Sequence, residues 1–523
     1  MSGGNLGRAT GVALTGLTGH IVDVEADIGG GLPAFVLLGL PDASLGEARD
    51  RIRSAARNTG VGLSPRRITV NLQPASLPKR GSALDLAIVA AALSADGTMD
   101  AQDDTLYIGE LGLDGMIRPV PGVLPAVLAG VQHGYRKFAV PRANLEEARL
   151  VTGAEVSGYR HLADVVAASG APPETVRQLR WSSGISREAA SRRPLAPRGT
   201  EREAVADYSD VRGQESARFA LEVSAAGRHH VMLRGEPGAG KTMLAERLPT
   251  ILPPLDDDEA LEVTAVHSVE GREPVSRLIR QPPLVSPHHT ATMAALVGGG
   301  SGIPRPGAAS RAHRGVLFLD EAPEFRGGVL DALRQPLESG EMTVHRAAGA
   351  ATFPARFQLV LAANLCPCGR SAPGGRDCEC TPTARRRYLG RLSGPLLDRV
   401  DIQVAVPRVA PTYLASAPDP ESSAQIRNRV SEARSRQDRR LRNVGLRTNG
   451  EIPSRLLRGE LAPPAASLPK LDEAFRRGWL SARGYDRVIR LGWTIADLNR
   501  RDTPSLEDLD VALQLRQNQE RTP

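Results

Sequence analysis

Residues 235–242 read GEPGAGKT, and this segment constrains the fold of the chain more than any other feature. It matches GxxxxGK[ST] in full and follows an apolar run, 230–233, that predicts a short buried strand. In such a P-loop the glycines let backbone N–H groups surround a β-phosphate. Lys241 can reach the β and γ oxygens, Thr242 can offer its hydroxyl to Mg²⁺, and the following helix adds its positive dipole end. The segment therefore predicts an α/β domain that binds ATP and Mg²⁺.

A second element, residues 315–321, reads GVLFLDE and predicts a central parallel strand that ends in two carboxylates. Asp320 is expected to hold Mg²⁺ through water, and Glu321 to orient and deprotonate the attacking water. Another apolar strand, 357–363, ends at Asn364, whose side chain can hold that water or the γ-phosphate; a helix or turn cap is the alternative. The predicted nucleotide-binding residues are Gly235, Glu236, Pro237, Gly238, Ala239, Gly240, Lys241, Thr242 and Asp320.

Length and composition limit the classes of protein that the chain can belong to. At 523 residues it predicts two to four domains, and a hydrophobic content of 41% supports packed cores. No uninterrupted apolar stretch approaches twenty residues and no signal peptide is evident, so we expect a cytoplasmic protein without a membrane partner. The net charge of +7 permits nucleic acid as a partner without establishing it.

All four cysteines of the chain lie in one short Gly/Pro-rich segment: Cys366, Cys368, Cys378 and Cys380. Disulfides are disfavoured in a cytosolic ATPase, whereas four thiolates suit tetrahedral Zn²⁺. The CxC spacing is less usual than CxxC, so reduced or redox-active thiols are the alternative. Because the segment follows Asn364 directly, either arrangement would stiffen a loop that starts at the ATP site.

Changes in composition divide the chain into four parts. Residues 1–178 predict one compact α/β domain, and residues 179–205 a linker rich in Ser, Arg, Pro and Gly. Residues 206–406 alternate strands and helices as a nucleotide-binding domain does, and they include the cysteine-rich loop 366–380. Residues 407–523 predict a helical C-terminal domain.

Several motifs, taken in order, resemble those of the Mg-chelatase-like AAA+ ATPases of the YifB/ComM type. They are GEPGAGKT, HRGVLFLDEAPEF, the paired cysteines after LAAN, YLGRLSGPLLDRVDI and LSARGYDRVIRLGWTIADL. The resemblance runs over nearly the whole chain, whereas that to Mg-chelatase subunits proper is confined to the ATPase core. It implies a multidomain α/β fold with a domain like ribosomal protein S5 domain 2 and Lon protease, an AAA+ P-loop core and a helical lid.

The resemblance also implies a homo-oligomeric ring, expected to be a hexamer, and assigns two arginines to it. Arg399 matches the arginine finger, which neutralises charge at the neighbouring subunit's γ-phosphate; a surface ion pair with Asp398 or Asp401 is the alternative. Arg483 matches the second sensor of the lid, with Arg487 one helical turn later as its competitor.

The N-terminal domain raises the question of proteolysis. Ser82 lies in a segment similar to the Lon nucleophile region, and a catalytic serine of this kind needs an activating lysine. The corresponding position here is Leu124, so we expect no protease activity and interpret Ser82 as a turn or cap residue.

Taken together, these features predict a Mg²⁺-dependent ATPase ring that moves single-stranded or branched DNA, as in branch migration or unwinding. The family resemblance and an arginine-rich helix over 427–447 support DNA, while a solvated surface is the alternative for that helix. Two rival functions stay open: a chelatase-type ATPase that remodels a protein or tetrapyrrole-associated partner, and a non-motor regulator that binds ATP without turnover.

Overall fold

The structure, a computed structural model, describes residues 6–39, 42–74, 77, 82–181, 206–272, 275–300, 304–346, 349–370, 378–409 and 419–517. Within these residues the chain forms two α/β units and a C-terminal group of helices.

The N-terminal unit contains nine strands: β1 (Leu6–Thr15), β2 (Thr18–Gly29), β3 (Ala34–Leu38), β4 (Arg67–Gln73), β5 (Thr105–Tyr107), β6 (Glu110–Leu111), β7 (Ile117–Arg118), β8 (Lys137–Pro141) and β9 (Glu155–Tyr159). Seven of them form a mixed sheet of order β3-β4-β2-β1-β5-β8-β9, and β6 pairs with β7. The long β1–β2 hairpin is antiparallel, while β5, β8 and β9 run parallel to β1.

Six helices cover this sheet: α1 (Asp42–Thr59), α2 (Asp85–Ala95), α3 (Val123–Gln132), α4 (Leu145–Ala148), α5 (Leu162–Ala168) and α6 (Pro173–Gln178). Helix α2 is apolar on all faces because it packs at the centre of the unit, with Leu86 and Leu93 fully buried. Leu179, the first residue of the expected linker, is buried in the same core, and Trp181 Nε1 donates a hydrogen bond of 2.8 Å to Asp164.

The second unit is built on five strands that are all parallel: β10 (Val231–Gly235), β11 (Leu284–Val285), β14 (Val316–Leu319), β17 (Gln358–Ala363) and β18 (Ile402–Val406). Their order is β11-β14-β17-β10-β18. The three central strands are almost continuously apolar because helices cover both faces of the sheet. This order brings the carboxyl ends of β10, β14 and β17 together at one edge.

The remaining elements of the second unit are nine helices and two hairpins: α7 (Glu215–Gly227), α8 (Lys241–Ile251), α9 (Asp257–Glu270), α10 (Met293–Val297), α11 (Ala308–Arg311), α12 (Gly327–Asp331), α13 (Arg334–Ser339), α14 (Pro382–Leu389), α15 (Gly394–Leu397), β12 (Gly298–Gly299) with β13 (Arg305–Pro306), and β15 (Glu341–Arg346) with β16 (Gly349–Pro354). An α/β architecture with a parallel sheet is confirmed for this part of the chain.

The C-terminal helices are α16 (Ser423–Leu441), α17 (Ser454–Leu457), α18 (Pro469–Arg476), α19 (Ala482–Leu498) and α20 (Leu506–Gln517). Helices α16 and α19 pack against α7, so Val430 and Leu491 belong to the same hydrophobic core as Val231 and Val404 of the sheet. The expected helical region therefore shares its core with the nucleotide-binding sheet, while its role as a lid stays a prediction.

The N-terminal unit contacts the second unit at two places. The Ser268 hydroxyl of α9 donates to the buried Glu147 carboxylate, and the Gly122 N–H donates to the Ser268 carbonyl at 3.0 Å. At the tip of the β1–β2 hairpin, a side chain at Gly16 would lie 2.6 Å from the Thr352 carbonyl oxygen of β16. These contacts join the N-terminal unit to α9 and to the β15–β16 hairpin of the second unit.

Candidate nucleotide-binding site

The P-loop joins β10 to α8 by a turn that depends on two glycines. Gly238 and Gly240 have φ angles of 75° and 89°, in the left-handed region that glycine adopts without strain. Helix α8 begins at Lys241, so its unpaired N–H groups face the loop. The eight residues that the motif singled out, 235–242, therefore form one continuous turn around a helix N-terminus, as a phosphate site requires.

Lys241 lies at the centre of this turn. Its Nζ donates hydrogen bonds to the carbonyl oxygens of Gly235 and Glu236 at 2.9 and 2.8 Å, and to Asn364 Oδ1 at 3.0 Å. Burial lowers the pKa of Lys241, and the carboxylates of Asp320, Glu321 and Glu236 oppose that effect. The ammonium group is thus held by three neutral acceptors, two carbonyl oxygens of the loop itself and Asn364 at the end of the neighbouring strand.

The two carboxylates after β14 face the first turn of α8. Thr242 Oγ1 donates to Asp320 Oδ2 at 2.7 Å, and the Glu321 N–H donates to Asp320 Oδ1 at 2.8 Å. Glu321 has a φ of 49°, which is strained for a residue with a side chain. A hydroxyl and a carboxylate oxygen at this separation form the hard oxygen donor set that Mg²⁺ prefers.

Three further residues contact this site. Gln214, in the left-handed region with a φ of 61°, donates from Nε2 to the Ala239 carbonyl at 3.1 Å. Arg408 donates to the Pro237 carbonyl at 3.1 Å. His289 lies against Glu321, with Nδ1 3.0 Å from Oε2. The Gly-Gln pair before α7 is a detectable signal for Gln214, whereas nothing local in the sequence indicates the other two contacts.

Arg399 and Arg483 lie near each other. Arg399 follows the end of α15 by two residues, and Arg483 is the second residue of α19. Arg399 pairs with Glu338, not with the two aspartates named as its alternative partners, because these are occupied by α19. Arg483 lies 3.5 Å from Asp398, and Arg487 pairs with Asp401 and donates to the Arg399 carbonyl. Among the described residues, no hydrogen bond or ion pair joins Arg399 or Arg483 to the P-loop of the same chain.

The four cysteines converge, with every pair of sulfur atoms within 4.8 Å. Sγ of Cys366 lies 3.3 Å from that of Cys368 and 3.6 Å from that of Cys378, and the Cys368–Cys378 separation is 3.7 Å. Directly after Cys368, Gly369 packs on the P-loop, since a side chain at Gly369 would lie 2.6 Å from Pro237 Cγ. The cluster is therefore built against the nucleotide site.

Most of the arginines between 427 and 447, on α16 and just after it, are engaged by other groups of the chain, so they support a phosphate-binding surface less than their number suggests. Five of the eight arginines between 427 and 447 pair with carboxylates of the chain: Arg429 with Glu222 and Glu421, Arg436 with Asp502, Arg440 with Asp497, Arg442 with Asp438, and Arg447 with Asp256. The other three donate to backbone carbonyls: Arg427, Arg434 and Arg439. Except for Arg439 and Arg442, whose partners lie one turn earlier in α16, these arginines join α16 and the residues after it to other elements.

The residues weighed for proteolysis are engaged in the N-terminal unit. The Ser82 hydroxyl donates to the Glu110 carboxylate, so it has a structural partner. Leu124 is fully buried in α3, and its N–H donates to Glu147 at 3.0 Å. In the part of the chain that the structure describes, no helix is both long and apolar enough to cross a bilayer.

Comparison with known proteins gives three family matches that follow one another along the chain. The family described as "Magnesium chelatase, subunit ChlI" matches residues 207–414. "Subunit ChlI of Mg-chelatase" matches 24–144, and "Magnesium chelatase, subunit ChlI C-terminal" matches 420–516. Together they extend over both α/β units and the C-terminal helices.

Full-length relatives extend this similarity. An uncharacterised protein of Mycobacterium tuberculosis, Rv2897c, is 50% identical over 98% of this chain and 99% of its own length. The uncharacterised protein YifB of Escherichia coli is 39% identical over 96% of each chain. Competence protein ComM of Haemophilus influenzae is 40% identical over 93% of this chain and 92% of its own length.

Proposed function

The chain belongs to the Mg-chelatase-like AAA+ ATPase family of YifB and ComM, and from this premise we propose that it is an ATP-hydrolysing ring motor that acts on DNA. The observation that supports hydrolysis best is the convergence of Lys241, Thr242, Asp320, Glu321 and Asn364 at the carboxyl edge of one parallel sheet. Ligands bind at this edge in open α/β sheets.

In this proposal each residue of the site has a distinct task. Lys241 exchanges its carbonyl partners for the β and γ oxygens of ATP, because charged phosphate oxygens attract an ammonium group more strongly than neutral carbonyl oxygens do. Thr242 would hold Mg²⁺ directly and Asp320 through water, and the bound ion would neutralise charge on the phosphates. Glu321 accepts the proton of the attacking water, and Asn364 orients that water or the γ-phosphate from the opposite side. The reaction is the hydrolysis of ATP to ADP and phosphate.

We place the subunit boundary of a hexameric ring at Arg399. Arg399 and Arg483 form one cationic cluster, and their mutual repulsion helps burial to lower the pKa of Arg399. Because this cluster has no contact with its own P-loop among the described residues, we assign both arginines to the neighbouring subunit's nucleotide.

Mixing Arg399→Ala with Lys241→Ala chains, each inactive alone, should restore part of the ATPase activity, because mixed rings contain some intact subunit boundaries. If mixed rings are verified and no ATPase activity returns, Arg399 does not act on the neighbouring subunit's nucleotide.

The four thiols support a structural Zn²⁺ site. Zinc at about 2.3 Å from four tetrahedral sulfurs places neighbouring sulfurs roughly 3.8 Å apart. The measured separations of 3.3 to 3.7 Å among Cys366, Cys368 and Cys378 lie close to this value. Elemental analysis of protein purified without chelators should give about one zinc per chain, and Cys366→Ser with Cys378→Ser should give none. A metal-free wild-type protein would leave the redox interpretation.

DNA as the substrate rests on three observations: a relative named as a competence protein, the net charge of +7, and a cationic turn beside the cysteines. Arg386 and Arg387 of α14 are exposed and form no ion pair within the described residues. These two arginines are therefore better candidates for contact with DNA phosphates than the arginines of α16. Because free arginines release counterions when they bind phosphates, we assign the backbone contact to α14.

The direct test measures ATP turnover and movement of a fluorescent four-way junction, with single-stranded and duplex DNA as comparison substrates. DNA should stimulate turnover, and Glu321→Gln should bind the junction without moving it. Replacing Arg386 and Arg387 by Gln should reduce the salt slope of binding by about 2. Turnover that ignores DNA would favour chelatase-type remodelling of a protein or tetrapyrrole-associated partner, and ATP binding without turnover would favour a non-motor regulator.

A further inference from the structure

A small polar cavity lies at the amino-terminal edge of the nucleotide-binding sheet, opposite the edge that carries the P-loop. Its walls include Arg228 before β10, Arg314 before β14 and Gln358, the first residue of β17. Helix α16 contributes Arg434 and helix α9 contributes Glu259. The cavity has a volume of about 30 Å³, whereas a single water needs roughly 10–15 Å³. It therefore has room for a small ion.

Three guanidinium groups and one carboxylate line this cavity. Arg314 is the best paired of the three, with nitrogens 3.1 Å from the carboxylates of Glu259 and Glu262. Glu259 is shared with a further arginine outside the cavity. Arg228 lies 3.8 Å from the Glu451 carboxylate, a longer and weaker ion pair. Most of the negative charge near the cavity is thus already bound to other guanidinium groups.

Arg434 forms no ion pair with any residue that the structure describes. Its Nε and Nη2 both donate to the Ala225 carbonyl, at 3.0 and 2.7 Å. Burial lowers the pKa of Arg434 to about 10, and the charge of Arg228 acts in the same direction. A guanidinium group that is withdrawn from water without a carboxylate costs free energy, and a bound anion would offset that cost.

The backbone is strained at two of the three arginines. Arg228 and Arg314 have φ angles of 62° and 59°, in the left-handed region that residues with a side chain rarely adopt. Only five residues other than glycine have a positive φ in the described part of the chain, and another of them is Glu321 at the ATP site. Strain of this kind is retained mainly at sites that bind a ligand. It is a second observation that sets this cavity apart from an ordinary helix contact.

We propose that the cavity is a binding site for a small oxyanion, inorganic phosphate, held by Arg228, Arg314 and Arg434. Planar guanidinium groups donate paired hydrogen bonds that match the oxygens of a phosphate. Because the three arginines come from α16 and from the residues before two strands, the anion would join the C-terminal helices to the sheet. This site is distinct from the P-loop, and the inference does not depend on ATP hydrolysis.

The test measures phosphate binding to the Lys241→Ala chain, because the P-loop is itself expected to bind phosphate. Equilibrium dialysis with radiolabelled phosphate should give about one ion per chain, with a dissociation constant of about 0.1–1 mM. In about 10 mM phosphate the midpoint of thermal unfolding should rise by roughly 2 °C over sodium chloride of equal ionic strength. Lys241→Ala also serves as the parent of every further variant.

Arg434→Gln removes the charge but keeps a donor for the Ala225 carbonyl. In the parent chain it should weaken phosphate binding at least about tenfold and abolish the phosphate-dependent rise of the midpoint. Arg228→Asn, whose side chain tolerates the left-handed backbone, should show the same loss and serves if Arg434→Gln does not fold. Arg439→Gln is the matched control, since Arg439 lies on the same helix and donates to the Ser435 carbonyl of that helix. It should bind phosphate as the parent does.

A purely structural role for Arg434 predicts a different pattern. The midpoint of Arg434→Gln would then fall equally with and without phosphate, and the phosphate-dependent rise would be unchanged, which would overturn the inference. An equal rise in sodium chloride would overturn it as well, because the site would not select an oxyanion. Displacement of the labelled phosphate by short duplex DNA would replace the free ion with a backbone phosphate and contradict the proposed ligand.

Discussion

The edge of the sheet at the P-loop and the contact between α16 and α19 are both rich in charge, but they use it in opposite ways. At the edge, Lys241 is held by carbonyl oxygens and Glu321 is half exposed. Between the helices, Arg440 donates to both oxygens of the buried Asp497 and its guanidinium also lies 4.3 Å over the Trp493 ring. The first arrangement leaves groups available to a ligand, and the second leaves none.

The physical difference lies in what each charge gains from the fold. A buried ion pair is stable only when its partners satisfy each other, and removing one partner leaves a charge without water. A group with neutral or exposed partners can exchange them for phosphate or water at little cost. Function is therefore expected where charges are partly satisfied, and stability where they are fully satisfied.

The largest expected effect is at the sheet edge. Lys241→Ala should abolish nucleotide binding, whereas Glu321→Gln should bind ATP yet lose at least about a hundredfold in kcat, since only the proton acceptor is removed. Fluorescent-nucleotide binding and steady-state turnover separate the two variants. Both variants should have a free energy of unfolding within about 0.5 kcal/mol of wild type. A large loss of stability in either variant would show that the charge it removes has a structural role.

The second prediction addresses the helices. Arg440→Ala should lower the free energy of unfolding by about 3 kcal/mol, because the buried Asp497 carboxylate loses both guanidinium hydrogen bonds and keeps only Asn449 and the more distant Arg436 as partners. Arg442→Ala, which removes only an exposed pair with Asp438, should change it by less than about 0.5 kcal/mol. Urea denaturation measures both. Should Arg439→Ala and Arg442→Ala instead weaken DNA binding without loss of stability, α16 would be a nucleic-acid surface and the contrast would fail.

The third prediction concerns pH. Burial raises the pKa of Asp401, but Arg487 and His229 oppose it more strongly and hold that pKa well below its usual value. An unfolded aspartate titrates at about 3.9, so the stabilisation is fully present above this pH and is lost as the pH falls below it. Thermal unfolding of Asp401→Asn should show a shallower acid decline than wild type. Asp398→Asn, at an exposed neighbour, should decline as the wild type does.

The smallest expected effect tests the contact between the cysteine loop and the P-loop. Gly369→Ala places a methyl group against Pro237 at a φ of 73° and should raise KM for ATP by about threefold, equivalent to roughly 0.7 kcal/mol. Gly134→Ala introduces the same left-handed strain, at a φ of 93°, with no neighbouring atom within 4 Å. The control should leave KM unchanged; an equal rise in both would assign the effect to general loss of stability.

Much of the fold was predictable because its signals are local. Alternating strands and helices, an apolar helix at α2 and a strand–loop–helix at 231–251 follow from patterns of a few residues. The extent of the C-terminal core was not predictable. Val430 and Val231 lie almost two hundred positions apart in sequence, and only the folded chain shows that they share one cluster.

The candidate site divides in the same way. Lys241, Thr242, Asp320 and Asn364 were identified from motifs, and the structure brings them together within 3.0 Å contacts. Arg483 was also identified, but its position beside Arg399 depends on the packing of α19 against α15, which no motif encodes. Roles for these residues beyond their positions stay predictions.

The sequence by itself determined the P-loop, the two carboxylates after β14 and the cysteine cluster, because each depends on a short segment whose residues are covalently close. Only the tertiary structure decided which charges remain free. Glu222 neutralises Arg429 from 207 positions away, and Asp497 neutralises Arg440 from 57 positions away. Charge along a segment is a local property, whereas the partner that satisfies it is chosen by packing.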